Sequence, residues 1–300
     1  MDEPVLLTGA GGRVGQAILR GIGDDYEWRL LDREPLPAAK VPDGVTDADR
    51  YVADITDERA VREAVADVGA VIHLAGDPRK TAPWDSVLRN NIDGTQVVMR
   101  AAADAGVKRF AFASSNHAVG GYETDERTPD LYRPEDDYRL DGSELPRPGN
   151  LYGVSKAAGE SLGRFYHDEF DMSVVCVRIG NLTKDHPPRE YERGQAMWLS
   201  HRDCAHLFDR CLRAEYGYEI VYGISNNDRR YYSIERAREA LGYDPADNSG
   251  DYTFEGKPKS DSDTEADGDR YDDDSFASDA DRPAPESPAE PNFPADPDDA

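Results

Sequence analysis

Short apolar runs alternate with amphipathic stretches over most of the chain. Val5–Thr8 is such a run and enters a glycine-rich turn, after which Ile18, Leu19 and Ile22 mark an amphipathic helix. Residues 27–32 and 51–55 read as the next two strands, and Val61, Val65 and Val68 recur at helical spacing behind them. Residues 70–76 read as a fourth buried strand, with His73 inside it as a core histidine rather than a ligand. A helix from about Trp84 carries Asn90, Asn91, Gly94 and Thr95. Arg109–Ser115, residues 172–179 and Tyr218–Gly223 supply further strands, and residues 150–170, 204–214 and 234–241 further helices. Strands alternating with helices predict an α/β fold, a Rossmann-type doubly wound parallel sheet. A small C-terminal substrate-binding part is expected to build the pocket from about residues 116–149 and 178–230, with the polar segment 184–202 lining it.

The pattern stops after about Gly256. Residues 257–300 hold 15 acids against 4 bases, with repeated proline and almost no aliphatic side chains. Such a segment cannot bury a core and is expected to be a disordered acidic tail, leaving residues 1–256 as a single domain. The net charge of −26 argues against nucleic acid or an anionic membrane as partner, since phosphate backbones demand a basic face. Only 7 of the 35 basic residues are lysine, an acidic and lysine-poor balance that suits a protein working in molar salt. No run reaches the roughly 20 apolar residues of a membrane span, and the opening Met1-Asp2-Glu3-Pro4 does not read as a signal peptide. Cys176, Cys204 and Cys211 have neither metal-ligand spacing nor a disulfide pattern, so no metal site is expected and a reducing cytoplasm is the simplest compartment.

Gly9, Gly12 and Gly15 stand between the first strand and its helix at the spacing that cradles a pyrophosphate: one for the turn, one for close backbone approach, one for helix–strand packing. Arg13 and Val14 lie in the same turn. Asp32 ends the second strand, where a carboxylate accepts hydrogen bonds from ribose hydroxyls and repels a 2′-phosphate. That favours NAD over NADP, although Arg13 and Arg33 would suit the phosphate. Asp54 is placed either to reach the adenine or to cap the helix that follows. Ile55 and the small residues after the fourth strand, Leu74, Ala75 and Gly76, are expected to border the same cofactor.

Tyr152 and Lys156 are one helical turn apart, with Asn150 as cap, and an ammonium beside a phenol favours the phenolate. With the glycine turn, Asn91-Ile-Asp-Gly94-Thr95 and Ser115, this pair makes roughly residues 4–245 resemble the extended short-chain dehydrogenase/reductase family. Ser114-Ser115-Asn116-His117 and Val177-Arg178-Ile179-Gly180-Asn181 look like its uronate dehydrogenase branch. Residues 4–15, 113–120 and 190–199 look more like the NAD-dependent glucose-6-phosphate dehydrogenases of salt-loving archaea. The 37-residue separation of Ser115 and Tyr152 is longer than expected for uronate dehydrogenases.

The resemblance implies oxidation of a small sugar phosphate, or of a uronate, at C1. Tyr152 would be the base, Lys156 would lower its pKa and hold the nicotinamide ribose, Ser115 would bond the reacting oxygen, and Asn91 would join the cofactor set. Asn116 and His117 would hold sugar hydroxyls. Arg178 would meet the anion at C6, or else form a structural ion pair at its strand end. A nucleotide-sugar epimerase or dehydratase and a non-catalytic NAD-sensing protein are the other readings; a homo-oligomer is left open.

Overall fold

The computed structural model describes residues 3–123, 139–183, 186–188 and 192–252. The expected acidic tail, residues 257–300, lies outside them. The first half runs β1 Val5–Thr8, α1 Arg13–Ile22, β2 Trp28–Asp32, β3 Arg50–Val52, α2 Glu58–Val65 and β4 Ala70–His73. One helical rod follows, made of α3 Trp84–Ser86, a π-helical turn Val87–Asp93 and α4 Gly94–Asp104. Then come β5 Arg109–Ser115, α5 Leu151–Phe170, β6 Ser173–Ile179, β7 Asn181–Leu182, α6 Glu192–Ala196, β8 Trp198–Leu199, α7 His201–Arg213, β9 Tyr218–Gly223 and α8 Glu235–Leu241.

Seven strands form one parallel sheet in the order β3-β2-β1-β4-β5-β6-β9, the doubly wound arrangement expected. Side chains alternate across it, so β1 sends Val5 and Leu7 into one apolar layer and Leu6 into the other. Ile18, Phe208 and Leu241 of α1, α7 and α8 close the first layer; Val61, Val98, Met99 and Tyr166 of α2, α4 and α5 close the second. The strand order reverses between β1 and β4, which is where a crevice opens at the carboxyl ends of the strands.

A third apolar cluster, including Val119, Leu140, Met197, Tyr222, Tyr231 and Tyr232, lies beside this frame. It corrects the reading of residues 184–202 as a polar pocket lining. Ala196, Met197, Trp198 and Leu199 are buried, and β7 and β8 pair as a small separate sheet.

Helix α5 is capped by Asn150, whose side chain accepts from the Gly153 N–H at 2.8 Å. It lies so close to the sheet that a Cβ on Gly159 would stand 2.3 Å from the ring of Phe112. That ring is buried and supports Lys156, whose Nζ is 5.1 Å from its centroid. Gly159→Ala is therefore expected to lower stability by about 1–3 kcal/mol through overpacking. Guanidinium unfolding should show an earlier midpoint with an unchanged slope.

Candidate active site

The glycine turn is shaped by its neighbours across the sheet. Gly9 has φ +70, and a Cβ there would meet the backbone of Ala75 at 2.8 Å, so both left-handed geometry and contact require glycine. Gly15 sits against the Ala10 and Gly9 carbonyls with no room for a Cβ. No side chain caps the first turn of α1 at Gly12, and no acid lies in that turn. Its N–H groups and the positive end of the helix dipole are thus presented to an anion. Asp32 Oδ2 accepts from the Gly11 N–H at 2.8 Å, which ties the turn to the end of β2 and leaves acceptor capacity on the carboxylate. The cradle fits a dinucleotide with its pyrophosphate on α1.

The other proposed cofactor residues differ in what they touch. Arg13 reaches across to donate to the Leu182 carbonyl at 3.0 Å. Val14 and Leu74 are half-buried against the core, and Ile55 is buried beneath α4. Asp54 bonds the Thr56 N–H and hydroxyl and faces Arg89 at 3.7 Å. Burial opposes its charge, but the two bonds from Thr56 and the arginine hold it below the ordinary carboxylate value. The cap of α2 is Asp57, not Asp54.

Tyr152, Lys156, Ser115, Asn116 and His117 come together at the carboxyl end of β5. Ser115 ends the strand, and its Oγ accepts from the His117 N–H at 3.2 Å, which turns the chain toward α5. His117 packs edge-on to Tyr152 with centroids 5.8 Å apart, and its Nδ1 lies 3.3 Å from Asn150 Nδ2. Lys156 is buried, donates to the Ala113 carbonyl at 2.8 Å, and places Nζ 5.4 Å from the Tyr152 ring centroid. Burial pushes its ammonium down to about 8, against which the carboxylate of Glu160 acts.

Arg178 is not in this group, and the expectation that it meets a substrate anion is corrected. Its side chain is 0% exposed. Nε and Nη2 each bond a Glu160 oxygen at 2.9 Å, and Nη1 reaches Tyr222 at 3.2 Å and Glu144 at 3.4 Å. It is the structural ion pair left open above, and a buried guanidinium so committed has no face for a ligand. The cations that bear on His117 are Arg193 and Lys80. After burial, their positive charges are the further causes that push this imidazole down to about 3. Arg193 is paired with Glu123, which also accepts from Tyr231 at 3.0 Å and from Tyr232. The sequence shows only isolated basic residues there, since their proximity is made by the tertiary fold.

Asn91, expected in the cofactor set, also anchors a second group of bonds whose partners the sequence did not mark. Asn91, in the π turn, accepts from the Asp77 N–H at 2.6 Å and donates to the Asp77 carbonyl and to Ser155 Oγ, each at 3.0 Å. Ser155 in turn donates to the Tyr152 carbonyl at 2.7 Å. The Asp77 carboxylate takes Arg79 at 2.6 and 2.9 Å and Ser86 at 2.5 Å. This chain of bonds fixes the loop after β4 to the first turn of α5. Asn91 thereby acts on the backbone around Tyr152. An acid directly after the fourth strand was the one signal that could have marked it.

The model of the NAD dependent epimerase/dehydratase family matches residues 5–202. An NAD-dependent glucose-6-phosphate dehydrogenase of Haloferax volcanii is 73% identical over 258 residues, covering 86% of this chain and 98% of that protein. A uronate dehydrogenase of Pseudomonas putida is 35% identical over 249 residues, covering 82% and 84%. Among solved structures, a uronate dehydrogenase variant from Agrobacterium tumefaciens complexed with NAD superposes with a TM-score of 0.70 at 32% identity, covering 83% of this chain and 86% of that one.

Two buried imidazoles give this region a pH signature. His73 lies between Thr8 Oγ1 at 2.7 Å and Thr95 Oγ1 at 3.1 Å, and burial, with the Lys156 charge second, pushes it down to about 3. His117 is held equally low. Both folded values lie below the unfolded value of about 6.5, so the native state binds fewer protons in between. The stability this confers is complete above about pH 6.5 and is lost as pH falls toward 3. Denaturant unfolding between pH 7 and 5 is expected to weaken by up to about 1.4 kcal/mol per pH unit for each imidazole. A flat profile over that range would remove this account.

Proposed function

We propose, for a chain that belongs to the NAD dependent epimerase/dehydratase family, that it is an NAD-dependent glucose-6-phosphate 1-dehydrogenase. The observation that carries the chemistry is the buried Lys156 ammonium one helical turn from Tyr152, at the strand ends beside an uncapped α1. The 73% identical relative carries the choice of substrate. NAD, when bound, supplies the hydride acceptor. Tyr152, as phenolate, takes the proton from the C1 hydroxyl of the cyclic sugar, and Ser115 bonds the same oxygen. Lys156 keeps the phenolate accessible and holds the nicotinamide ribose. Asn116 and His117 hold sugar hydroxyls; His117, neutral, both donates and accepts. The product is the lactone. Asp32 holds the adenosine ribose and disfavours a 2′-phosphate.

With Arg178 committed elsewhere, the C6 anion falls to Arg193 and Lys80. Glu123, with Tyr231 and Tyr232 bonded to it, presents Arg193. The pocket draws on residues 116–123, 139–149, 178–183, 186–188 and 192–195 within one domain, and the protein would work in the cytoplasm.

A substrate panel in molar salt tests the reading. Glucose 6-phosphate should be oxidised with NAD in preference to NADP and to glucuronate. Turnover of glucuronate without the phosphate ester would move the protein to the uronate branch. Tyr152→Phe should lower kcat by about 10²–10⁴-fold while NAD still binds. Lys80→Met and Arg193→Met should each raise KM for glucose 6-phosphate by about 10–100-fold, the worth of one charge-assisted bond, with a smaller change in kcat.

A further inference from the structure

Behind the reacting side chains, Lys156 is joined by two charged residues, Glu160 and Arg178, to which the proposed chemistry assigns no role. Lys156 and Glu160 occupy successive turns of α5 on the side facing β5. Lys156 Nζ donates to the carbonyl of Ala113, and Glu160 Oε1 accepts from the hydroxyl of the next residue, Ser114, at 2.6 Å. Glu160 is 2% exposed and is gripped by the two parallel bonds from Arg178. The two parallel bonds from the guanidinium offset the cost of burying this carboxylate.

The other titratable groups packed around this cluster are uncharged. His73 on β4 is kept neutral by burial. Cys176 on β6, with Tyr218 and Tyr222 on β9, is pushed up, in each case chiefly by burial. Tyr152 lies one turn before Lys156. Among the described residues, the charged side chains around Lys156 are Glu160, its partner Arg178, Glu144 at the outer end of that guanidinium, and Tyr152 itself when it stands as the phenolate.

We propose that Glu160 is a positioning residue whose carboxylate, clamped by Arg178, holds Lys156 as an ammonium in an otherwise apolar pocket and so sets the alkaline limit of turnover. The effect on turnover rests on Tyr152 being the base; the effect on Lys156 does not. A carboxylate one turn away favours the charged amine, while Arg178, whose charge is offset by the two bonds to that carboxylate, opposes it less.

The test reads Lys156 directly. With only seven lysines, ¹³C,¹⁵N-lysine labelling gives few side-chain signals, and the Lys156→Met spectrum identifies the one required. In Glu160→Gln the Lys156 titration and the alkaline limb of kcat should both move to lower pH, by about one unit. The double variant Glu160→Gln with Arg178→Gln removes the buried pair together, leaves Glu144 bonded to the Tyr222 hydroxyl, and should move both the same way by less. Arg178→Lys breaks the two-pronged geometry but keeps both charges; it should lower the unfolding midpoint and leave the titration in place. An unmoved Lys156 signal in both Glu160 variants would overturn the proposal and leave the pair a structural tie. A shifted signal with an unmoved kcat limb would uphold the electrostatics and place the fault in the assignment of Tyr152 as base.

Discussion

Lys156 is a cation buried under a parallel sheet, and the region around it is arranged to tolerate that charge. Its Nζ bonds the Ala113 carbonyl, the Phe112 and Tyr152 rings offer their faces within 5.1 and 5.4 Å, and a carboxylate stands one turn along the helix. None of this is available unless α5 comes very close to β5. Gly159 permits the approach, and the bonds from Asn150, Asn91 and Ser155 fix the depth and rotation of the first turn. The chemistry of Tyr152 is thus inherited from a packing distance.

The dinucleotide side obeys a different constraint. There the protein leaves backbone groups uncompensated, with a bare helix start and a glycine at positive φ against Ala75. The two halves of the site therefore differ in kind: one supplies satisfied buried charge, the other supplies unsatisfied dipoles aimed at a ligand.

Much of this was legible in the residues. Strands buried on both faces read as apolar runs, which is why β1, β5 and β6 emerged close to their true limits, while β4 stops at His73, three residues short of its apolar run. The Gly9–Gly15 turn and the Asn150 cap have local causes and were found for that reason. Arg178 shows the limit of such reading. Its partners Glu160 and Glu144 lie 18 and 34 residues away and meet it only through the fold. A strand-end arginine therefore looks the same whether it greets a ligand or closes an ion pair. Arg193, Lys80 and Glu123 were overlooked for the same reason. The buried Ala196–Leu199 stretch was masked by the polar residues on either side of it.

The π turn at Val87–Asp93 gives the helical rod a gear-like property. Gly94 N–H bonds Arg89 five residues back rather than four, so this rod carries one residue more than an α-helix of equal rise. That extra residue rotates everything beyond it by about 100° relative to a regular helix. Asn91 within the turn is thereby aimed at Ser155 while Thr95 beyond it still meets His73. Two separate contacts, one toward the reacting helix and one into the core, are phased by a single inserted residue. Losing that residue would restore a better helix but force a choice between the two contacts, which makes the length of this segment as restrictive as its composition.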